Sequence, residues 1–241
     1  MQGIIIVDKP SGWTSFDVVA KIRGLTKVKR VGHSGTLDPM ATGVLPVFLG
    51  KATKAIRFFI DGDKGYAGEM TLGARTDTGD AEGKVLMTND PCQITNEGII
   101  EAFNKYTGKI MQTPPMYSAI KVGGQRLYKL ARQGIEVKRE PRKVTIYALQ
   151  LAHNDLIDKR ITFSVFCSKG TYVRQLAMDI GDDLGCGAYL SKLTRVYAHP
   201  FHISQALSME TIITLVKTGN LSTILISPEE LLTQSVNDGK G

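Results

Sequence analysis

The chain has 241 residues, a formal net charge of +7, 42% hydrophobic residues and 22% charged residues. That balance excludes a disordered chain, a collagen-like fibre and a disulfide-stapled miniprotein, and the chain is long enough to bury a large core. No apolar run approaches the roughly 20 residues of a membrane span, and the N-terminal run Gly3–Val7 is too short for a signal peptide, so a cytoplasmic chain is expected.

In chain order, Gly3–Val7 reads as a buried strand of β-branched residues, and Pro10-Ser11-Gly12 as a turn. Thr14 or Ser15 caps a helix whose apolar face is Phe16, Val19, Ile22 and Leu25. Val31–Leu49, broken by Gly32, Gly35, Pro39, Gly43 and Pro46, is a loop between short extended pieces. Lys51–Ile60 looks helical, Tyr66–Leu72 alternates as a strand, and Glu97–Tyr106 is a helix. Thr113-Pro114-Pro115 breaks the chain, Gly123-Gly124 fits a hairpin turn, and Leu127–Gln133 is a short helix stopped by Gly134. Val144–Leu151 and Ile161–Cys167 read as strands. Thr171 caps a helix to about Leu184, closed by Gly185 and Gly187. Tyr189–Tyr197 is a strand, and Met209–Lys217 a helix before a short tail. Strands and helices do not alternate regularly, so an α+β fold with a largely antiparallel sheet flanked by helices is expected.

Cys92, Cys167 and Cys186 are odd in number, widely spaced and form no CxxC pair, so reduced buried thiols are expected. His33, His153, His199 and His202 make no zinc pattern, and Pro200 breaks the helix that would pair the last two, so no metal is expected. Gly43–Thr53 glances at a phosphate-binding loop. Six residues separate its glycines where the motif needs four, and Ala52 follows Lys51 where it needs Ser or Thr. No GxGxxG is present, and no cofactor is expected.

Positive charge is concentrated. Between Lys121 and Lys143 stand Lys121, Arg126, Lys129, Arg132, Lys138, Arg139, Arg142 and Lys143, opposed only by Glu136 and Glu140. A second cluster, Lys21, Arg23, Lys27, Lys29 and Arg30, contains no acid. Clustered bases without an amphipathic anchor point to a nucleic acid rather than a membrane; a solvated helix face is the plain alternative.

The most informative run is Gly32-His33-Ser34-Gly35-Thr36-Leu37-Asp38-Pro39-Met40-Ala41-Thr42-Gly43-Val44-Leu45-Pro46. Its glycines permit sharp turns or close approach, and Pro39 pushes Asp38 out of helical geometry, presenting a carboxylate on a loop. An Asp-Pro turn starter is the plain alternative. The run resembles the signature loop of the TruB family of pseudouridine synthases, close to GHxGTLDPxAxGVLP. Further blocks agree in order: Asp8–Ser15 (KPxGxTS), Lys64–Gly73 (KxYxxxxxLG), Pro114–Ala119 within QxPPxYSA, Cys167–Arg174 (SKGTYIR) and Gly187–Arg195 (GAxxxxLxR). The resemblance covers Gly3 to about Phe201.

The resemblance implies the pseudouridine synthase fold and isomerisation of uridine to pseudouridine at position 55 in the TΨC loop of tRNA. It makes Asp38 the essential carboxylate, at the sugar either as nucleophile or through elimination, and pairs Arg174 with it. It sets Tyr66 against the target base, brings Tyr172 and Leu193 to the flipped uridine, and lets His33 fill the gap left in the T-loop. Lys9 and Pro10 would support the Asp38 loop. The segment 121–143 would be an insertion gripping the T-arm, with Lys121, Arg126, Lys129, Arg132, Arg142 and Lys143 on phosphates. On this reading 1–205 is the catalytic domain, and 206–241 a C-terminal helix and tail with the family's PUA-type module absent or truncated. No obligate protein partner is implied. Two rivals share the blocks: a dyskerin-type subunit guided by a separate RNA, and a non-catalytic tRNA-folding or RNA-binding module.

Overall fold

The computed structural model describes residues 1–88, 94–229 and 231. Cys92 and the end of the expected C-terminal tail lie outside the described residues. The chain divides into two units, Met1–Lys64 with Thr194–Gly241, and Gly65–Leu193.

The first unit opens with β1 (Gly3–Lys9), its β-branched residues buried on both faces. The turn at Ser11-Gly12 leads into α1 (Ser15–Thr26), capped reciprocally by Thr14 and Asp17. The helix buries Ser15, Val18, Val19 and Ile22, whereas Phe16, expected on the apolar face, is 66% exposed. Ser15 explains the rotation: its hydroxyl accepts from Leu37 N at 2.9 Å and so faces inward, which turns its neighbour out. β2 (Val31–His33) pairs antiparallel with β3 (Thr42–Leu49), which also pairs antiparallel with β1 from Gly3↔Leu49 to Lys9↔Gly43. The expected helix at Lys51–Ile60 is a 3-10 helix over Gly50–Ala55 followed by α2 (Ile56–Phe59).

The second unit holds β4 (Lys64–Leu72), the ribbon β5 (Ala74–Thr76) and β6 (Val85–Thr88), α3 (Asn96–Lys105) and β7 (Gly108–Gln112). A hairpin follows, β8 (Lys121–Val122) and β9 (Gln125–Arg126), turning on Gly123 and Gly124 at φ +57° and +84°. Next come α4 (Leu127–Arg132), β10 (Arg142–Asp155), β11 (Arg160–Cys167), α5 (Val173–Asp183) and β12 (Ala188–Ala198). The strand order is β12-β4-β11-β10-β7, and β10 is antiparallel to both neighbours. Phe163 of β11 meets Phe103 of α3 edge-on and lies over Gly68, where a Cβ would stand 2.7 Å from its ring. Cys167 and Cys186 are buried free thiols. Thr171, expected to cap α5, instead donates to Ser168 O at 2.9 Å. Tyr172 takes the cap position, and its side chain makes no capping bond to the helix.

The last residues of β12, Thr194–Ala198, return to the first unit. There Thr194 and Arg195 pair parallel with Thr42 and Gly43. β13 (Phe201–His202) pairs back on β12, and α6 (Met209–Lys217) buries Met209 and Ile212 in a core with Ile5, Val7, Val18, Val47 and Leu49. An α+β fold with a largely antiparallel mixed sheet is thus present. Among the described residues no helix is long and apolar enough to cross a membrane.

At Gly43, φ is +96° and a Cβ would lie 2.3 Å from Arg195 O. Gly43→Ala is therefore strained in backbone and in space. It is expected to cost at least about 2 kcal/mol and to lower the melting temperature by about 4 °C or more in a thermal scan.

Candidate functional site

In the first unit Asp38 lies half-buried in the loop from Ser34 to Ala41 that joins β2 to β3. Ala41 N donates to Asp38 O at 3.1 Å and closes a turn with Pro39 at its second position, where proline's fixed φ fits. The turn-starting role of Asp-Pro is real, and it uses the Asp38 carbonyl.

Two buried cations and one hydroxyl hold this loop. Lys9, fully buried at the end of β1, donates from Nζ to Pro39 O at 3.0 Å, Trp13 O at 2.6 Å and Pro10 O at 2.9 Å. Its three N–H donors thus each meet a carbonyl. Gly12 N also donates to Pro39 O, and Ser15 Oγ donates to Leu37 O while accepting from Leu37 N. From β12, Arg195 is 1% exposed; its Nε donates to Val44 O at 2.7 Å, and its terminal nitrogens to Gly35 O at 3.1 Å and Thr36 O at 3.4 Å. Burying a cation costs several kcal/mol unless its protons are satisfied, so these carbonyls and these side chains fix one another.

His33, half-buried beside the loop, accepts from Gly35 N at its Nδ1, which places the neutral-ring proton on Nε2. Burial, and then the Arg195 charge, push the His33 pKa below its ordinary value.

In the second unit Arg174, the second residue of α5, is 4% exposed. Its guanidinium donates to Thr78 O at 2.8 Å and Tyr117 O at 2.9 Å, and its Nε lies 3.5 Å from Asp80 Oδ2. Asp80, equally buried, accepts from Thr78 Oγ1 at 2.5 Å and Glu82 N at 3.1 Å. Tyr172 is held by its backbone: Tyr172 N donates to Gln112 Oε1 at 2.8 Å and Gln112 Nε2 donates to Tyr172 O at 3.1 Å. Tyr66 is half-buried near the start of β4, and Leu193 is buried.

Lys121, Arg126, Lys129, Arg132, Arg142 and Lys143 are all exposed. The two acids of this stretch pair elsewhere, Glu136 with Arg139 at 3.0 Å and Glu140 with Lys138 at 3.3 Å. The charge of the stretch therefore rests on those six bases. α4 is seated by buried Leu127 and Leu130, and Arg132 lies 5.6 Å over the Tyr128 ring.

Sequence reasoning assigned no role to three of these residues. Asp80 sits in a Gly-containing loop with no marker of burial. Gln112 shows its function only when the chain brings it to Tyr172. Arg195 did carry a signal: it stands two residues after buried Leu193 on a strand, which is an inward position for a base.

The sequence model of the family described as "TruB family pseudouridylate synthase (N terminal domain)" matches residues 23–173. A protein of Geobacter sulfurreducens named tRNA pseudouridine synthase B is 46% identical over 96% of this chain and 76% of its own length. One of the same name from Clostridium acetobutylicum is 50% identical over 87% of this chain and 72% of its own. Among solved structures, a crystal structure of a Cbf5-Nop10-Gar1 complex matches with a TM-score of 0.75 and 27% identity, covering 95% of this chain and 61% of that one. This chain thus spans under two thirds of that solved chain.

Removing the Asp80 carboxylate takes a negative charge from beside a buried guanidinium and leaves Thr78 Oγ1 and Glu82 N without their acceptor. Asp80→Ala is expected to cost about 3 kcal/mol in a urea titration, with Asp80→Asn, which keeps shape and acceptor, losing less. The lowered His33 pKa has a defined sign. Its contribution to stability is complete above the unfolded pKa, near 6.5, and is lost as pH falls through the folded value. His33→Gln should flatten the decline in melting temperature on acidification from pH 7 to pH 5.

Proposed function

This chain belongs to the TruB family of pseudouridylate synthases, and on that footing we propose that it isomerises uridine to pseudouridine at position 55 in the TΨC loop of tRNA. The N1–C1′ bond breaks, uracil turns, and C5 bonds to C1′. N1 gains a proton as C5 loses one, so the reaction is redox-neutral and consumes no co-reactant.

Asp38 is the carboxylate that meets the sugar, and Arg174, which lies beside Asp80 in the structure, is the arginine that the family resemblance assigns to it. Tyr66 stacks on the base, Tyr172 and Leu193 contact the displaced nucleotide, and His33 fills the space the nucleotide leaves in the T-loop. A stacked base cannot reach a carboxylate on a protein loop, so the nucleotide is extruded. That costs a few kcal/mol and is offset by stacking and edge hydrogen bonds. The six exposed bases of 121–143 take T-arm phosphates, which position the RNA without reading its sequence. The observation that carries this reading is the Asp38 loop itself, a family signature whose backbone is fastened by Lys9 and Arg195. Identity of 46% and 50% to tRNA pseudouridine synthases, against 27% to the Cbf5-complex structure, favours a tRNA enzyme over a guide-RNA-dependent subunit.

The test is tritium release from unmodified tRNA carrying C5-tritiated uridine. Wild type should release tritium stoichiometrically with position 55, and Asp38→Asn should release none while still binding tRNA. Equal release by both would remove Asp38 from the mechanism. Each phosphate contact contributes roughly 0.7–0.9 to the log–log slope of affinity against salt, so Lys129→Gln with Arg132→Gln should flatten that slope by about 1.5.

A further inference from the structure

β7 ends at Gln112, which pairs with Arg142 of β10. Alternation along the strand leaves Lys109 and Met111 exposed and turns Gln112 inward, where it is 2% exposed. A carboxamide buried that deeply must find partners for its oxygen and its N–H groups. Gln112 finds them on one residue, 60 positions away: Oε1 accepts from Tyr172 N at 2.8 Å, and Nε2 donates to Tyr172 O at 3.1 Å. The grip is two-pronged and is made to backbone, so it acts on the conformation of residue 172 itself.

Tyr172 has reason to need that grip. It is the N-cap residue of α5, at φ −102° and ψ 106°, and tyrosine is not a residue that caps a helix with its own side chain. Leu176 N closes the first helical bond on Tyr172 O at 3.0 Å, but that bond does nothing for the Tyr172 N–H. The backbone angles at 172 fix the direction in which Cβ leaves the chain and the rotamers open to the half-buried ring. The stretch that follows Gln112 reaches α5 a second time, where Tyr117 O accepts from Arg174 at 2.9 Å. It is tied in turn to α4, since Ser118 O accepts from Tyr128 N at 3.1 Å. Residues 112–118 and the start of α5 therefore hold one another in register.

We propose that Gln112 is a positioning residue for the isomerisation, one that sets the Tyr172 ring against the displaced uridine by holding both backbone groups of Tyr172. It acts through Tyr172 and not on the nucleotide, and it rests on the assignment of Tyr172 to that nucleotide. The pairing needs a donor and an acceptor at once, which a primary carboxamide supplies from a single side chain.

The test uses the full chain in single-turnover tritium release from saturating unmodified tRNA, with the Kd for tRNA measured separately. Gln112→Met is close in length and volume but offers neither donor nor acceptor. It should slow release about tenfold or more while Kd stays within about twofold of wild type, because geometry at the reacting centre is lost and not binding. The same substitution made in a Tyr172→Ala protein should slow release by less than about a further twofold, since the ring it positions is already gone. An equal fractional loss with and without the Tyr172 ring, a change confined to Kd, or a wild-type rate for Gln112→Met overturns the proposal. Should Gln112→Met fail to fold, Gln112→Glu, which keeps an acceptor for Tyr172 N, goes through the same pair of backgrounds and decides by the same criterion. Tyr172→Ala turning over at the wild-type rate would defeat the assignment of Tyr172, and this proposal with it. Wild-type protein releasing no tritium would instead defeat the proposed function as a whole.

Discussion

A carboxylate on a loop is useful only if the loop has one shape, and here that shape depends on carbonyl oxygens that accept hydrogen bonds from two buried cations. Lys9 takes Pro39 O, one residue after Asp38, while Arg195 takes Gly35 O and Thr36 O ahead of it and Val44 O beyond. Neither side chain is accessible to water, so each would carry a large desolvation cost if the loop moved away. The coupling runs both ways: the loop satisfies the cations, and the cations define the loop. Gly43 completes the arrangement, because only a residue without a Cβ lets β3 approach the backbone of Arg195 so closely.

The second unit repeats this use of buried polar groups as fasteners. Arg174 spends its donors on Thr78 O and Tyr117 O and is accompanied by Asp80. Two residues earlier, the Gln112 carboxamide holds both backbone groups of Tyr172, supplying from β7 an acceptor for Tyr172 N and, beside Leu176 N of α5, a second donor to Tyr172 O. Such contacts add modest net stability, but leaving any of them unmade is expensive. They therefore select one arrangement over near alternatives.

Where a pattern is local, the amino-acid sequence reveals it. The β-branched run of β1, the glycine pair of the β8–β9 hairpin, and α6 from Met209 to Lys217 all stand where periodicity and turn chemistry put them. Phe16 and Thr171 show the limit. Each obeys a helix rule, yet Ser15 is claimed by Leu37 and Thr171 by Ser168, and those bonds outweigh a propensity worth about 1 kcal/mol. The fasteners themselves were the least legible. Arg195 and Val44 are 151 residues apart, and a base among apolar residues announces burial without naming its partner. Motif resemblance drew attention to Asp38 and Arg174, whereas Asp80 and Gln112 acquire meaning only from the contacts they make.

Lys9 and Arg195 hold the loop that presents Asp38, and the single-turnover rate of Lys9→Met on saturating tRNA tests that hold. Misplacing a reacting group by about 1 Å costs on the order of a hundredfold in rate. A loss of that size is expected in the rate of tritium release, with the Kd for tRNA unchanged and the protein still folded by circular dichroism. A folded Lys9→Met protein that turns over at the wild-type rate would contradict it.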